Sequence, residues 1–449
     1  MNNFIKKYKN KINYSYLFFI CVIILYHIVL RCDFGDDVTV KLDIFTGKYG
    51  FYESIFRRLK TMMHGWSTRT IIEFVLYHFI YFSPIVWKIV DVFLWVLLLY
   101  SFDRIIDIKD DKVKRNLLVF LLLQFPYIYL SNAGWIATGI NYLWVISFGA
   151  FSCTVIRKVN DYNKINKLYY IFALLACAYA ANQEQMCVFL TTIFFVVTIY
   201  FIIYRIKWWK LLPFDIVCLA ELLYVLLMPG EKNRVVIETS TWFPDFKSYD
   251  LIDKILLGIT RFINKFFFEF NAINFIFLLT VIFIIWQKYN GKIIRIMSVI
   301  PMMVYLLSNI LRNVYPQLSQ YLQQCRLLSC ATYSDINRYI AWGIFVFTLI
   351  CLVELCILMF YSVADWIVLV ILGLGCATVI AMGFSPTVYA SSDRIFCFMY
   401  FAILLSDMLL LKNKNINSDK MLKLKKYDGI LLILSVITII NTIMEIIDL

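Results

Sequence analysis

From Tyr14 almost to Leu449 the chain is a succession of apolar stretches separated by short polar loops, and a run of roughly 20 apolar residues is what a helix needs to cross a bilayer. Nothing else constrains the fold as much, because a segment in lipid must satisfy its own backbone N–H and C=O groups. The expected fold is therefore all-α: a polytopic integral membrane helical bundle forming a single transmembrane domain over 1–449. Of the 449 residues, 62% are hydrophobic and 16% charged, with mean hydropathy +0.76. A soluble domain is about half apolar and a quarter charged.

Candidate spans fall at roughly 14–30, 84–102, 116–131, 139–157, 168–181, 186–204, 214–228, 266–286, 294–310, 339–361, 363–382, 395–411 and 428–446, about 13 transmembrane helices. The first follows Lys6, Lys7, Lys9 and Lys11 without a small-residue cleavage site, so it is expected to be a retained helix.

The net charge of +13 sits in short loops between apolar runs and not on one face beside a nucleic-acid motif, which argues against a nucleic-acid partner. Cytoplasmic loops rich in Lys and Arg account for it. They are the N-terminal cluster, Arg104–Arg115, Arg157 to Lys167, Arg205 to Lys210, Lys288 to Arg295, and Lys412–Lys426. This places the chain in the plasma membrane with a cytoplasmic N-terminus, and the chain between Leu30 and Arg104 must then cross an odd number of times. Tyr52–Met63 and Thr68–Phe82 are accordingly read as interfacial helices of a first external loop, 31–83, with Pro84 opening the second span. Arg57, Arg58 and Lys60 suit contact with anionic lipid headgroups. Further external loops are expected at 229–265 and 312–338. The 12 cysteines are scattered with no metal-binding spacing and read as small buried hydrophobes; Cys32, Cys325 and Cys330 fall in external loops.

The polar residues that anchoring leaves unexplained lie opposite the lysine clusters. Asp33, Asp36 and Asp37 put three carboxylates within five residues just after the first span. Mutual repulsion raises one pKa and suits a proton acceptor or a cation ligand, although a hydrated loop also tolerates them. Arg69 and Glu73, near Trp66, are spaced four apart as an ion pair on one helix face would be. Asn132 and Asn141 interrupt an aromatic boundary segment, and Asn182-Gln183-Glu184-Gln185 sets polar groups between two apolar spans, where they are costly and usually line a cavity. Lys232 and Arg234 follow a Pro-Gly step, and Arg394 ends a Ser-Pro loop. Arginine makes two parallel hydrogen bonds to phosphate, while headgroup snorkelling explains each cation taken alone.

Taken together, Asp36-Asp37, Trp66 to Arg69 (one residue closer than in the related pattern), Thr138 to Trp144, Asn182 to Glu184, Pro229 to Arg234 and Ser385 to Arg394 resemble the GT-C class of membrane glycosyltransferases, in particular bacterial multi-pass members. The resemblance implies a catalytic acid residue in the first external loop followed by interfacial helices, and a polyprenyl-phosphate-sugar donor. It further implies transfer to a glycan or lipid acceptor at the outer face, as in building cell-surface polysaccharide. Asp36 or Asp37 would be the base. Arg69, Glu73, Asn132, Asn141, Asn182, Glu184, Lys232, Arg234 and Arg394 would bind substrate, and no cofactor is expected. The chain lacks the soluble C-terminal domain of the larger oligosaccharyltransferases, so transfer to a protein sequon is not implied. A transporter or flippase of lipid-linked glycans, using His27, Asp91, Asp215, Glu221 or Glu354, and a polysaccharide polymerase are the competing readings.

Overall fold

The computed structural model describes residues 14–45, 49–108, 111–161, 165–314, 333–412 and 428–449. The basic N-terminal cluster, most of the Lys412–Lys426 run and most of the 312–338 loop, with Cys325 and Cys330, lie outside the described residues. Among the described residues every regular element is helical, and no strand is present.

In chain order the helices are α1 (Tyr14–Val29), α2 (Asp36–Ile44), α3 (Phe51–Gly65), α4 (Thr70–Tyr81), α5 (Pro84–Ile106), α6 (Lys112–Leu123), α7 (Trp135–Asn160), α8 (Lys167–Ala181), α9 (Glu184–Ile203) and α10 (Leu212–Leu227). They continue as α11 (Gly230–Trp242), α12 (Leu251–Phe267), α13 (Ala272–Lys288), α14 (Lys292–Val314), α15 (Ile336–Met359), α16 (Trp366–Ile380), α17 (Cys397–Lys412) and α18 (Asp428–Ile447). Among the described residues, seven are long and apolar enough to cross a membrane, or up to nine counting two bent helix pairs as one span each. The stretches read as spans at 14–30 and 168–181 form the shorter α1 and α8, and that at 116–131 divides into α6 and a tight turn, Tyr127–Ser131.

The chain divides into two compact units. One comprises Met1–Met63, Thr68–Leu227 and Asn415–Leu449; the other comprises His64–Ser67 and Met228–Lys414. In the first, α5 and α7 pack along each other around Trp87, Trp95 and Leu98. His27, Asp91 and Trp144, buried there, are hydrogen-bonded together. His27 Nε2 lies 2.9 Å from Asp91 Oδ2, His27 Nδ1 lies 2.8 Å from the Ile23 carbonyl, and Trp144 Nε1 donates to Asp91 Oδ1 at 2.6 Å.

The stretches Tyr52–Met63 and Thr68–Phe82 are helical, as α3 and α4, and the further short helix α2 precedes them. At 12 residues α4 is about 18 Å long, short of the roughly 30 Å hydrocarbon core. α5 then starts as the Ser83-Pro84 pair directs: the Ser83 hydroxyl accepts from Ile85 N, and proline takes the first helical position, where no N–H is needed.

In the second unit, the 229–265 loop is helical, as α11 and most of α12. α12 begins at a capping box in which Asp250 and Asp253 each accept the other's backbone N–H. It turns into α13 with an 81° bend. Its middle rests on the end of α16 with no side chain between: a Cβ added at Gly258 would stand 2.0 Å from the Ile380 carbonyl oxygen, and one at Gly383 would stand 2.1 Å from that of Lys254. This close approach fixes α12 against the loop at 385–396. Phe246, Leu257 and Val388 close the contact with a small apolar cluster.

Candidate functional site

In the first unit, polar residues from four separate segments meet where α2, α4, α7 and α9 begin. The geometry starts with two glycines. Gly35 has φ +61° and Gly134 has φ +100°, values that a residue with a Cβ rarely adopts. They let the two turns touch, with Asp36 N donating to the Ala133 carbonyl at 2.8 Å. A Cβ on Gly134 would stand 2.6 Å from Asp37 Cγ.

The contact separates the two candidate bases. Asp37 is buried, and its oxygens accept the backbone N–H groups of Ile136 (3.0 Å) and Ala137 (2.8 Å), so it caps the N-terminus of α7 from another segment. Burial nevertheless pushes its carboxyl up to about 6, and the Asp36 charge adds to this, against the backbone N–H donors. Asp36 and Asp33 are exposed. Of the neighbouring pair, Asp36 is thus the carboxylate that an acceptor hydroxyl can reach.

Arg69 does not form the expected ion pair with Glu73. It sits at the N-cap of α4 and grips Glu184 instead: Nε donates to Oε1 at 3.0 Å and to Oε2 at 2.8 Å, and Nη2 lies 2.7 Å from Oε2. Its Nη1 donates to Asn141 Oδ1 at 3.1 Å, and Asn141 Nδ2 donates to the Ala137 carbonyl. Asn141 lies in a widened π-type turn of α7, Gly139–Leu143, a departure from regular helix that recurs at functional sites. Glu73 faces the same region, its carboxyl raised by burial and lowered again by Tyr77, Arg69 and Arg58.

The Asn182–Gln185 segment finds its partners in helix ends. Asn182 Oδ1 accepts from Ile71 N (2.9 Å) and Ile72 N (3.3 Å), capping α4 from a distance, while its Nδ2 donates to Glu221 Oε2 at 3.1 Å. Gln183 Oε1 accepts from Met186 N at 2.7 Å and caps α9. Asn132 is exposed on the turn before α7.

The remaining candidates belong to the second unit. Lys232 is exposed at the start of α11. Arg234 lies 3.7 Å from Glu238 Oε1 and 4.0 Å from Glu231 Oε1, with its Cζ 5.5 Å from the Trp66 ring centroid. Arg394 is on a short helical turn, Asp393–Phe396, that follows a hydroxyl-linked loop. In that loop Ser385 Oγ is 2.8 Å from Thr387 Oγ1, to which Ser391 Oγ donates at 2.9 Å. Asp393 accepts from Lys265 Nζ at 2.7 Å, and Lys265 also meets Glu269 Oε2 at 2.5 Å. Among the described residues no three His, Cys, Asp or Glu side chains gather as a metal site.

No protein-family model, curated protein or solved structure matches this chain. Its chemistry must be argued from its own geometry. Three residues outside the sequence-based set stand out on that basis: the buried Lys265, the neighbouring Arg261, and Asp407 in α17, buried with neither oxygen hydrogen-bonded. For Asp407 a signal was available, since an acid within an apolar stretch is uncommon. Lys265 and Arg261 gave none, because they follow apolar residues in a segment read as a loop end.

Proposed function

We propose that the chain is an inverting membrane glycosyltransferase with a GT-C-like arrangement of about 13 transmembrane helices, acting at the outer face of the plasma membrane. It takes a sugar from a polyprenyl-phosphate-linked donor and passes it to a glycan or lipid acceptor. One observation carries the reading. The α7 N-terminus claims Asp37 and leaves Asp36 exposed beside it, at the end of the first unit where the Arg69–Glu184–Asn141 network also lies.

In the proposed reaction Asp36 accepts the proton of the acceptor hydroxyl as that oxygen attacks the anomeric carbon. The bond from that carbon to the phosphate oxygen breaks, and the electron pair leaves with the polyprenyl phosphate. Guanidinium donors suit the anion released, and Arg234 and Arg394 are candidates for that role by residue type. Asn132, Asn141 and Glu184 are suited to sugar hydroxyls, the last two already oriented by Arg69. The test replaces Asp36 by Asn and follows transfer of labelled sugar in membranes. A base of this kind contributes about 10²–10⁴-fold, so full retained activity would reject the mechanism.

A lipid-linked-glycan transporter is the second reading, and Asp407 favours it as an unpaired carboxyl buried in an apolar helix. Four of the five residues expected to serve such a path are tied up, His27 with Asp91, Asp215 with Thr198 (2.8 Å) and Glu221 with Asn182, while Glu354 is exposed on α15. Movement of labelled lipid-linked glycan by reconstituted protein, abolished in Asp407→Asn and retained in Asp36→Asn, would establish transport in place of transfer.

A further inference from the structure

The second unit carries a cationic helix face whose groups divide into satisfied and unsatisfied members. Thr260, Arg261, Asn264 and Lys265 occupy one stripe of α12 at spacings of one and four. The Lys265 ammonium is almost fully buried and meets two carboxylates, Asp393 and Glu269. Arg261 has neither. Among the described residues its guanidinium forms no ion pair, and its Nε is buried without a hydrogen-bond partner. It lies over two aromatic rings, with Cζ 5.0 Å from the Phe396 centroid and 5.6 Å from that of Tyr389.

The same face holds further unused polar groups. The Thr260 hydroxyl and the Asn264 amide oxygen are both buried and unpartnered, and Asn264 turns an N–H₂ to the same place by a half rotation of its amide. Arg394, on the short turn that also carries Asp393 and Phe396, makes no ion pair among the described residues. Counting charges, Arg261, Lys265 and Arg394 stand against Asp393 and Glu269, which leaves one positive charge in excess.

A buried donor without an acceptor costs about 1–3 kcal/mol, more when charged. The aromatic rings relieve the Arg261 charge in part, but they accept none of its planar N–H fork. An anion with several oxygens satisfies the fork, the hydroxyl and the amide together. A phosphate ester is the fitting class, since it takes two parallel hydrogen bonds from guanidinium and keeps an oxygen for a neutral donor. We infer that Arg261, Thr260 and Asn264, assisted by Arg394, form a binding site for the phosphate of a lipid phosphate ester. Lys265 is the positioning residue that ties the Asp393–Phe396 turn to α12. The site rests on the geometry just given; that its ester is the sugar donor rests on the transfer reading above.

The test uses the full chain in phosphatidylcholine nanodiscs, with polyprenyl phosphate or phosphatidylglycerol added to the bilayer and binding read by native mass spectrometry. Polyprenyl phosphate is expected to bind, and Arg261→Gln to weaken it about tenfold or more. Arg261→Lys should recover part of the loss through charge without the fork, and Lys247→Gln, an exposed cation on the Pro244–Ser248 turn between α11 and α12, should have no effect. Thr260→Val supplies a milder variant where Arg261→Gln lowers the yield of folded protein. Equal binding of phosphatidylglycerol with the same Arg261 dependence would support the phosphate site while giving it to bilayer headgroups. Affinities unchanged in both Arg261→Gln and Thr260→Val overturn the proposal. Loss of transfer in Asp36→Asn leaves every one of these readouts untouched, so the two readings fail separately.

Discussion

Arg69 holds Glu184 through three nitrogen–oxygen contacts of 3.0, 2.8 and 2.7 Å, a doubly bonded pair between the first turn of α4 and the first turn of α9. The side chains are 18% and 21% exposed, so the pair lies between a surface bridge, at about 0–1 kcal/mol, and a buried one whose disruption costs about 3–5. Arg69→Ala or Glu184→Ala should each destabilise the protein by roughly 1–3 kcal/mol. The double variant should cost much less than the sum. Unfolding of the two single variants and the double variant measures the coupling; strictly additive losses would mean that the pair does no more than occupy space.

Asp37 supplies a pH dependence whose sign follows from burial. Its carboxyl is raised from 3.8 to about 6 in the folded protein, so between those values the folded chain binds more protons than the unfolded chain. The contribution is therefore fully present below about pH 4 and is lost as pH rises through about 6. The whole effect is bounded by roughly 3 kcal/mol, at 1.36 kcal/mol per pKa unit. Wild-type Tm in nanodiscs, followed from pH 4 to 8, should carry this downward contribution, and Asp37→Asn should remove it while leaving the contributions of other groups. Identical pH profiles for the two proteins would contradict the assignment.

Asn182 caps α4 although 110 residues separate it from Ile72. Removing a cap costs about 0.5–2 kcal/mol, and here the loss should be local. In Asn182→Ala, amide exchange at Ile71 and Ile72 is expected to accelerate, with the middle of α7 unchanged. Asn182→Asp keeps the acceptor and should retain protection at those two amides. Uniform acceleration throughout the chain would instead point to a general loss of packing.

How much of this was legible in the sequence varies with the physics involved. The helical class followed from the length of the apolar runs, and helices at the positions of α3 and α4 were expected from loop-charge parity, both properties of local sequence, whereas α2 was not foreseen. The polar residues stood out in the sequence because membrane anchoring does not explain them, yet their partners could not be read. Asp37, Asn182 and Arg69 each act on a helix terminus or side chain from a distant segment, and a helix end in need of a cap leaves no mark at the position that supplies it. Spacing proposed Arg69 with Glu73, one helical turn away; the tertiary fold offered Arg69 a carboxylate at Glu184 with better geometry. Helix breaks were less legible: the stretch read as a span at 116–131 divides into α6 and the Tyr127–Ser131 turn, because hydropathy does not mark where an apolar run stops being one helix.

Gly258 offers the sharpest test of how α12 is placed. Its Cα faces the Ile380 backbone so closely that a methyl group would stand 2.0 Å from the carbonyl oxygen and 2.8 Å from its carbon, and backbone cannot turn aside as a flexible side chain can. Overpacking of this kind costs about 1–3 kcal/mol or more, and relief requires α12 to move away from α16. Because Arg261 is three residues further along α12, that movement lifts it from Phe396 and Tyr389. Gly258→Ala should accordingly lower Tm and weaken phosphate-ester binding together. Gly373, on α16 with nothing within 4 Å of an added Cβ, is the matched control. Alanine there should be neutral or stabilising by up to about 1 kcal/mol, as for a helix interior. Equal effects of the two substitutions would show that helix propensity governs both, and that the α12–α16 contact tolerates a side chain.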